Sequence, residues 1–223
     1  MPTKNVKLYD LSRTIRHGAP AYPKMGCPSI NRLCSLPMEG FNAESLSMST
    51  HTATHVDAPR HFFDEGPSVS CLPLEAFMGP GLFVDLRGRV QPDEAIDAAK
   101  LEPLVCGLEP GDFALLNTGW GPKRGFNVDY LKRWPYLDEG GARLLLELKV
   151  KAVGIDSLSL GGFGSREKAR PCHEILLGAG ILIIEEVFFP DEVMDGRKRL
   201  VSAFPLKIDG ASASPVRLVA YDG

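Results

Sequence analysis

No stretch of this 223-residue chain approaches the roughly 20 consecutive apolar residues needed to cross a bilayer, and the opening MPTKNVKLYDLS has no apolar run of the signal-peptide kind. These absences lead us to expect a cytoplasmic protein with no membrane partner. Cysteine is sparse. Cys27, Cys34, Cys71, Cys106 and Cys172 are odd in number, scattered and never spaced C-x-x-C, which argues for reduced thiols rather than a disulfide framework. Charge of one sign is missing too. With 25 Lys+Arg against 28 Asp+Glu, a net charge of -3 and no basic block, nothing would draw the chain to nucleic acid, so a small molecule is the expected partner. There is also no repeat, no low-complexity tract and no linker, because the 18 prolines and 23 glycines are spread along the whole chain.

What is present suits a globular protein: 44% apolar and 24% charged residues, in a length that one domain over residues 1–223 would use. Short apolar runs bounded by turn residues predict strands at Val6–Leu11, Ser45–Thr50, Leu82–Leu86, Phe113–Asn117, Ala152–Ile155, Ile181–Glu185, Val201–Leu206 and Val216–Ala220. Helical patterns are fewer. They cover Pro92–Leu101, Val128–Lys132, Glu139–Lys149 with Asp138 as its N-cap, and Cys172–Leu177 closed by Gly178. The expected fold is therefore mixed α/β and rich in strands. The helix at Glu139–Lys149 followed by the strand at Val153–Ile155 reads as part of a βαβ unit. That unit puts Asp156 at a strand end, where it either faces a site or caps a turn.

Histidine carries the strongest signal. Three of the five histidines fall in the eleven residues His51-Thr-Ala-Thr-His55-Val-Asp57-Ala-Pro-Arg-His61, where even spreading would put about a quarter of one. A lone histidine is more often a satisfied polar residue than a ligand, and His17 keeps that ordinary reading. Three imidazoles and a carboxylate this close need a common partner, and neutral imidazole is the commonest protein ligand for transition metals. Pro59 and the β-branched Thr50, Thr52, Thr54 and Val56 argue against a helix, so the segment should be extended or looped. In an extended chain alternate side chains share a face, which lets His51, His55 and Asp57 point together. His61 follows in register unless Pro59 bends the path. Three such ligands leave a coordination position open for water or substrate. Zinc is the first choice for this mixed nitrogen and oxygen set, and manganese the second.

A second cluster, from Pro171-Cys-His173-Glu to Glu185-Glu186, offers one histidine on a short helix and a carboxylate at the end of the next strand. Tyr22 and Trp120 are candidates to line an aromatic, substrate-binding pocket, with burial in the core as the alternative. Two histidines and one carboxylate also make the facial triad of non-haem iron oxygenases, and a non-catalytic, metal-dependent binding protein is a third possibility.

With its flanks, the histidine motif resembles the H-x-G-T-H-x-D-x-P-x-H signature of the metal-dependent cyclase and kynurenine formamidase-like (arylformamidase) hydrolases. The resemblance extends through Tyr9-Asp10-Leu11-Ser12, Gly111-Asp112, Thr118-Gly119-Trp120, Val153-Gly-Ile-Asp156-Ser-Leu-Ser159, His173-Glu-Ile-Leu-Leu, Glu185, Pro205-Leu-Lys207 and Ser214-Pro-Val-Arg217. It implies a compact swivelling β/β/α domain in a homodimer or homotetramer. It implies His51, His55 and Asp57 on one metal, Asp57 bridging to a second held by His173, Glu185 touching both, and His61 as the general acid/base. The reaction implied is hydrolysis of an amide, lactam or lactone carbonyl in a small aryl or cyclic compound by metal-activated water, with N-formylkynurenine-like formamides first and isatin- or dienelactone-type rings second. Three positions depart from the pattern. Ala53 stands where the family usually has Gly, Glu186 where it commonly has Asn, and Lys24-Met25-Gly26 follows Tyr22-Pro23 where a Gly-Asp is expected. A left-handed backbone at Ala53 would be strained, whereas a β conformation would not.

Overall fold

The computed structural model describes residues 6–222. Nine strands form one sheet in the order Leu8–Asp10, Val219–Tyr221, Arg199–Ser202, Met78–Asp85, Phe113–Asn117, Ala152–Ile155, Leu182–Glu185, His55–Asp57 and Ala213–Pro215. The four strands from Met78–Asp85 to Leu182–Glu185 run parallel, and every pairing outside them is antiparallel. The mixed α/β expectation holds.

The parallel centre is apolar along its length because both of its faces are covered. Leu82, Val84, Ala114, Leu116, Val153, Ile155 and Ile183 point to one core, where the helices Glu139–Glu147 and Pro171–Gly178 add Ala142, Leu145, Cys172, Leu176 and Leu177. The alternate residues Phe83, Phe113, Leu115, Ala152, Leu182 and Ile184 point to a second core, shared with Leu11, Val56, Phe77 and Leu218. Gly154 interrupts this second set for lack of room, since a Cβ there would stand 2.5 Å from Leu115 Cδ2. A third, aromatic cluster joins Trp120, Tyr130, Trp134 and Leu158.

Several expected elements move. The segment read as a helix from Pro92 to Leu101 is helical only at Ala98–Leu101, because Asp97 caps it by accepting from Lys100 N at 2.9 Å. Upstream, Asp93 takes φ 61° and Ala95–Ile96 pairs with Tyr136–Leu137. The strand expected at Ser45–Thr50 lies at Ala43–Ser47 and pairs with Ser29–Cys34, which the apolar pattern had not suggested, in a separate two-stranded sheet. The run Val201–Leu206 is a strand at Arg199–Ser202, with Pro205 making one bridge to Val216, and the run Val216–Ala220 is a strand only from Val219, in Val219–Tyr221, while a separate strand precedes it at Ala213–Pro215.

Asp138 does cap the helix Glu139–Glu147, accepting from Gly141 N at 2.8 Å. Asp138→Ala is expected to destabilise the protein by about 1 kcal/mol. The change should read as a lower urea midpoint with an unchanged slope.

Candidate active site

The strand His55–Asp57 lies beside Leu182–Glu185 with Glu185 opposite His55 and Ile183 opposite Asp57. Val56 and Ile184 both enter the second core, so the pleat turns His55, Asp57 and Glu185 to the opposite face. The helix Pro171–Gly178 packs on that face and brings His173 with it. His55 and Glu185, 130 positions apart, thus meet through strand register, and His173 joins them through helix packing.

Only His55–Asp57 of the histidine motif is a strand. Of the extended or looped alternatives, residues 51–54 take the loop, because hydrogen bonds bend the chain before the strand. Thr54 Oγ1 donates to Glu186 O at 2.7 Å and accepts from Arg13 N at 2.7 Å, while His55 Nδ1 donates to Ala53 O at 2.7 Å. Ala53 is held at φ 54°, the left-handed conformation in which a Cβ is strained, and it is buried. Glu186 is held at φ 52° and is buried against Arg124, whose Nε donates to Glu186 Oε2 at 2.8 Å. Ala53 and Glu186, two of the three departures from the family pattern, therefore fall where the backbone is left-handed, and Lys24 in the third has φ 87°.

The side chains still converge. His51 Nδ1 is 2.9 Å from Asp57 Oδ1, and His55 Nε2 is 3.4 Å from both Asp57 Oδ1 and Glu185 Oε2. His173 Nε2 is 3.2 Å from Glu185 Oε1, which also accepts from Leu160 N at 2.8 Å and Ser159 Oγ at 3.1 Å. The His61 ring centroid is 4.2 Å from that of His51 and 6.0 Å from that of His173. All five expected metal ligands and His61 thus share one site.

Two features fit a metal ion. His55 Nε2 and both Asp57 carboxylate oxygens are buried without a hydrogen-bond partner among the described residues; the close His51 and His55 nitrogens lie at ion-pair distance but out of hydrogen-bonding geometry. Buried polar atoms are rarely left so, and an unpaired buried carboxylate costs several kcal/mol. In addition, His55 and His173 each commit Nδ1 to a backbone carbonyl, Ala53 O and Ala169 O, which turns Nε2 inward. Two groups of three place their donor atoms within 4.8 Å of one another: His51, Asp57 and His61, and His55, Asp57 and Glu185. They share Asp57.

The charges follow from this packing. Burial opposes the charged ring of His55, but Asp57 and Glu185 outweigh it and push its pKa up to about 9. Burial likewise opposes ionisation of Asp57 and Glu185, yet the surrounding histidines hold both carboxyls below their ordinary range. His61 goes the other way. Burial dominates there and lowers its pKa to about 4, so its ring is neutral at physiological pH.

A cavity of about 310 Å³ opens over the cluster, lined by these histidines and Glu185 together with Tyr22, Met25, Phe62, Leu158, Ser159 and Arg170. Tyr22 is on its wall as expected. Trp120 is not; it is buried in the aromatic cluster, where its Nε1 donates to Tyr130 O at 3.4 Å. Asp156 also lies apart, accepting from Thr118 N and Oγ1 and from Gly121 N, so it organises a turn. His17 is satisfied at the surface, where its Nδ1 accepts from Ile30 N. Sequence reasoning missed Met25, Leu158, Ser159 and Arg170 as wall residues, since none has a spacing that marks it.

Comparison with known proteins bears on the same residues. The Cyclase family model matches residues 9–161, which include the whole histidine motif. A kynurenine formamidase of Paracidovorax citrulli (strain AAC00-1) is 31% identical over 95% of this chain and 95% of its own length. Isatin hydrolase A from Labrenzia aggregata, solved with benzyl benzoate, superposes with a TM-score of 0.86 at 26% identity, covering 97% of this chain and 93% of that one. A protein of Bacillus stearothermophilus described as a predicted metal-dependent hydrolase superposes with a TM-score of 0.75 at 27% identity, over 98% and 99% of the two chains.

A ring that is protonated up to about pH 9 must lose its proton to bind a metal. Without metal, the ion pairs of His55 stabilise the fold fully below about pH 6.5 and are lost as pH rises through about 9. Zinc affinity should run in the opposite sense, rising by about tenfold per pH unit for each proton released. Calorimetry in buffers of different ionisation enthalpy counts those protons, and a pH-independent affinity would exclude these rings as ligands.

Proposed function

Because this chain belongs to the cyclase family, we propose that it is a metal-dependent hydrolase that cleaves the amide carbonyl of a small aryl or cyclic substrate, with an aryl formamide first and an isatin-like lactam second. One observation carries the reading: the unpartnered atoms of His55 and Asp57 meet beside Glu185, beneath a cavity walled by His55, Glu185 and a neutral His61. His51, His55, Asp57, His173 and Glu185 would hold the metal, which supplies Lewis-acid polarisation of a carbonyl and makes water more acidic at neutral pH. Zinc suits the imidazole-rich donors, with manganese as the alternative, and the convergence of five candidate ligands around Asp57 and Glu185 supports two ions per chain. The hydrolase names of the relatives favour this reading over an oxygenase or a binding protein.

The remaining steps belong to the chain itself. Tyr22, Met25, Phe62 and Leu158 offer apolar surface to an aryl ring. Neutral His61 accepts a proton at a ring nitrogen from attacking water and returns it to the departing nitrogen. Ser159 Oγ and Leu160 N hold Glu185 in place through Oε1, which keeps its second oxygen toward His55.

We further propose one domain over residues 1–223 working as a homodimer or homotetramer in the cytoplasm. The sheet joins Leu8–Asp10 to Val219–Tyr221, which supports one domain, and five free thiols suit a reducing compartment. No helix among the described residues is long and apolar enough to cross a membrane. Around the separate two-stranded sheet, Leu33, Leu36, Met38, Phe41 and Leu46 are each more than half exposed, an apolar surface that a second copy would cover.

Elemental analysis should find about two metal ions per chain, and the loaded protein should cleave formanilides or lactams in a chelator-sensitive manner. His61→Asn should keep the metal and lower turnover about a hundredfold or more. A metal-loaded variant with unchanged turnover would remove His61 from the mechanism, and failure to bind zinc or manganese would remove the hydrolase. Sedimentation should show an oligomer that Met38→Lys with Phe41→Lys dissociates; a monomeric wild type would refute the oligomer.

A further inference from the structure

Arg170 is the one Lys or Arg among the residues lining the active-site cavity. Every other cationic group on that wall is a histidine, and those rings are engaged with Asp57 and Glu185 or, in the case of His61, neutral. Arg170 stands immediately before the helix Pro171–Gly178, one turn ahead of His173, so the backbone that delivers His173 also fixes the guanidinium at the cavity rim.

Two contacts orient the group. Nε donates to Glu174 Oε1 at 2.8 Å, and Nη2 donates to the same oxygen. The guanidinium carbon lies 5.2 Å from the Phe62 ring centroid, and Phe62 stacks on His173 with centroids 4.7 Å apart and planes within 12°. The pair with Glu174 uses the side edge of the fork. Its end edge, Nη1 with the second proton of Nη2, has no partner among the described residues. That edge matches the spacing of two carboxylate oxygens. The Arg170 side chain is 38% exposed and that of Glu174 43%, so their attraction is weak in water and does not withdraw the cation from a ligand.

Apart from Ser159, whose hydroxyl is bonded to Glu185, the rest of the wall is apolar or aromatic, chiefly Tyr22, Met25, Phe62 and Leu158. The cavity therefore joins three demands in one volume of about 310 Å³, a reacting centre at the histidines, flat apolar walls and a fixed positive charge at the rim. We propose that Arg170 determines specificity for substrates whose aryl or cyclic body carries an anionic group, a carboxylate above all, away from the scissile carbonyl. This deepens the hydrolase reading and rests on it for the identity of the reacting carbonyl. Arg170 binds the remote group and takes no part in bond breaking, so its loss acts on binding and on KM rather than on kcat.

The test separates charge from shape and from the metal. Calorimetry on the zinc-loaded protein compares 3-aminobenzenesulfonate with neutral 3-(methylsulfonyl)aniline, because a sulfonate keeps the negative charge but is a poor metal ligand. The wild type should prefer the sulfonate by about tenfold or more, the scale of one charge-assisted hydrogen bond. Arg170→Gln should abolish that preference while binding the sulfone within about twofold of wild type, and Arg170→Lys should keep part of it. A preference that is unchanged in Arg170→Gln, or absent from the wild type, overturns the proposal. Turnover of 3-formamidobenzoate and 3-formamidobenzamide, measured alongside, distinguishes the two readings. If the binding preference behaves as expected but neither compound is cleaved, the hydrolase reading loses support and the role of Arg170 stands.

Discussion

Two buried carboxylates, one of them without a hydrogen bond among the described residues, govern this molecule. Asp57 and Glu185 are sealed beneath His51, His55, His61 and His173, and both oxygens of Asp57 lack a hydrogen-bond partner among the described residues. Burying one such charge without compensation would remove a large fraction of the stability of an ordinary domain. In the metal-free chain, His55 and His173 supply the compensation by taking up protons. Under the proposed function, a metal ion would replace those protons with a fixed charge on the same nitrogens, which would complete a site that is electrostatically incomplete without it.

The sheet makes that arrangement rigid. His55 and Glu185 are direct partners across antiparallel strands, so their spacing is set by backbone hydrogen bonds and not by flexible side chains. Behind them, Val56 and Ile184 anchor the opposite face in the second core. The preceding turn is strained to match. Ala53 and Glu186 both hold left-handed backbones, and Thr54 Oγ1 ties the two segments together through its bond to Glu186 O. Glu186 is in turn fixed by Arg124, with Tyr130 donating to the same oxygen at 3.4 Å. Backbone strain next to a site persists where the surroundings over-determine it, and these contacts do so.

Selectivity lies in a different layer from the chemistry. The candidate ligands sit on strand ends, on one helix and, for His51, on the turn before His55, while the walls come from the loop around Tyr22 and Met25, from Phe62, from Leu158 and Ser159 after the Ala152–Ile155 strand, and from Arg170. Loops and helix ends accept substitution without disturbing the sheet, so one scaffold serves relatives named as a kynurenine formamidase and as an isatin hydrolase.

The sequence alone determined the clustering of His51, His55, Asp57 and His61, because three histidines and a carboxylate within eleven residues is a local pattern that needs no fold to be seen. It also determined the buried strands Phe113–Asn117 and Ala152–Ile155, whose uninterrupted apolar runs reflect cover on both faces, and the Asp138 cap, which acts through its own next turn. His173 and Glu185 were legible through the family pattern alone, since their meeting with His55 depends on strand register and helix packing across more than a hundred residues. The placement of Tyr22 on the cavity and Trp120 in the core was decided by tertiary structure, because either aromatic satisfies the same local preference for burial. So were the left-handed turn at Ala53, which hydrogen bonds to distant Glu186 and Arg13 impose, and the charged rim at Arg170, which no spacing announces and only the packing of its helix against Phe62 brings to the site.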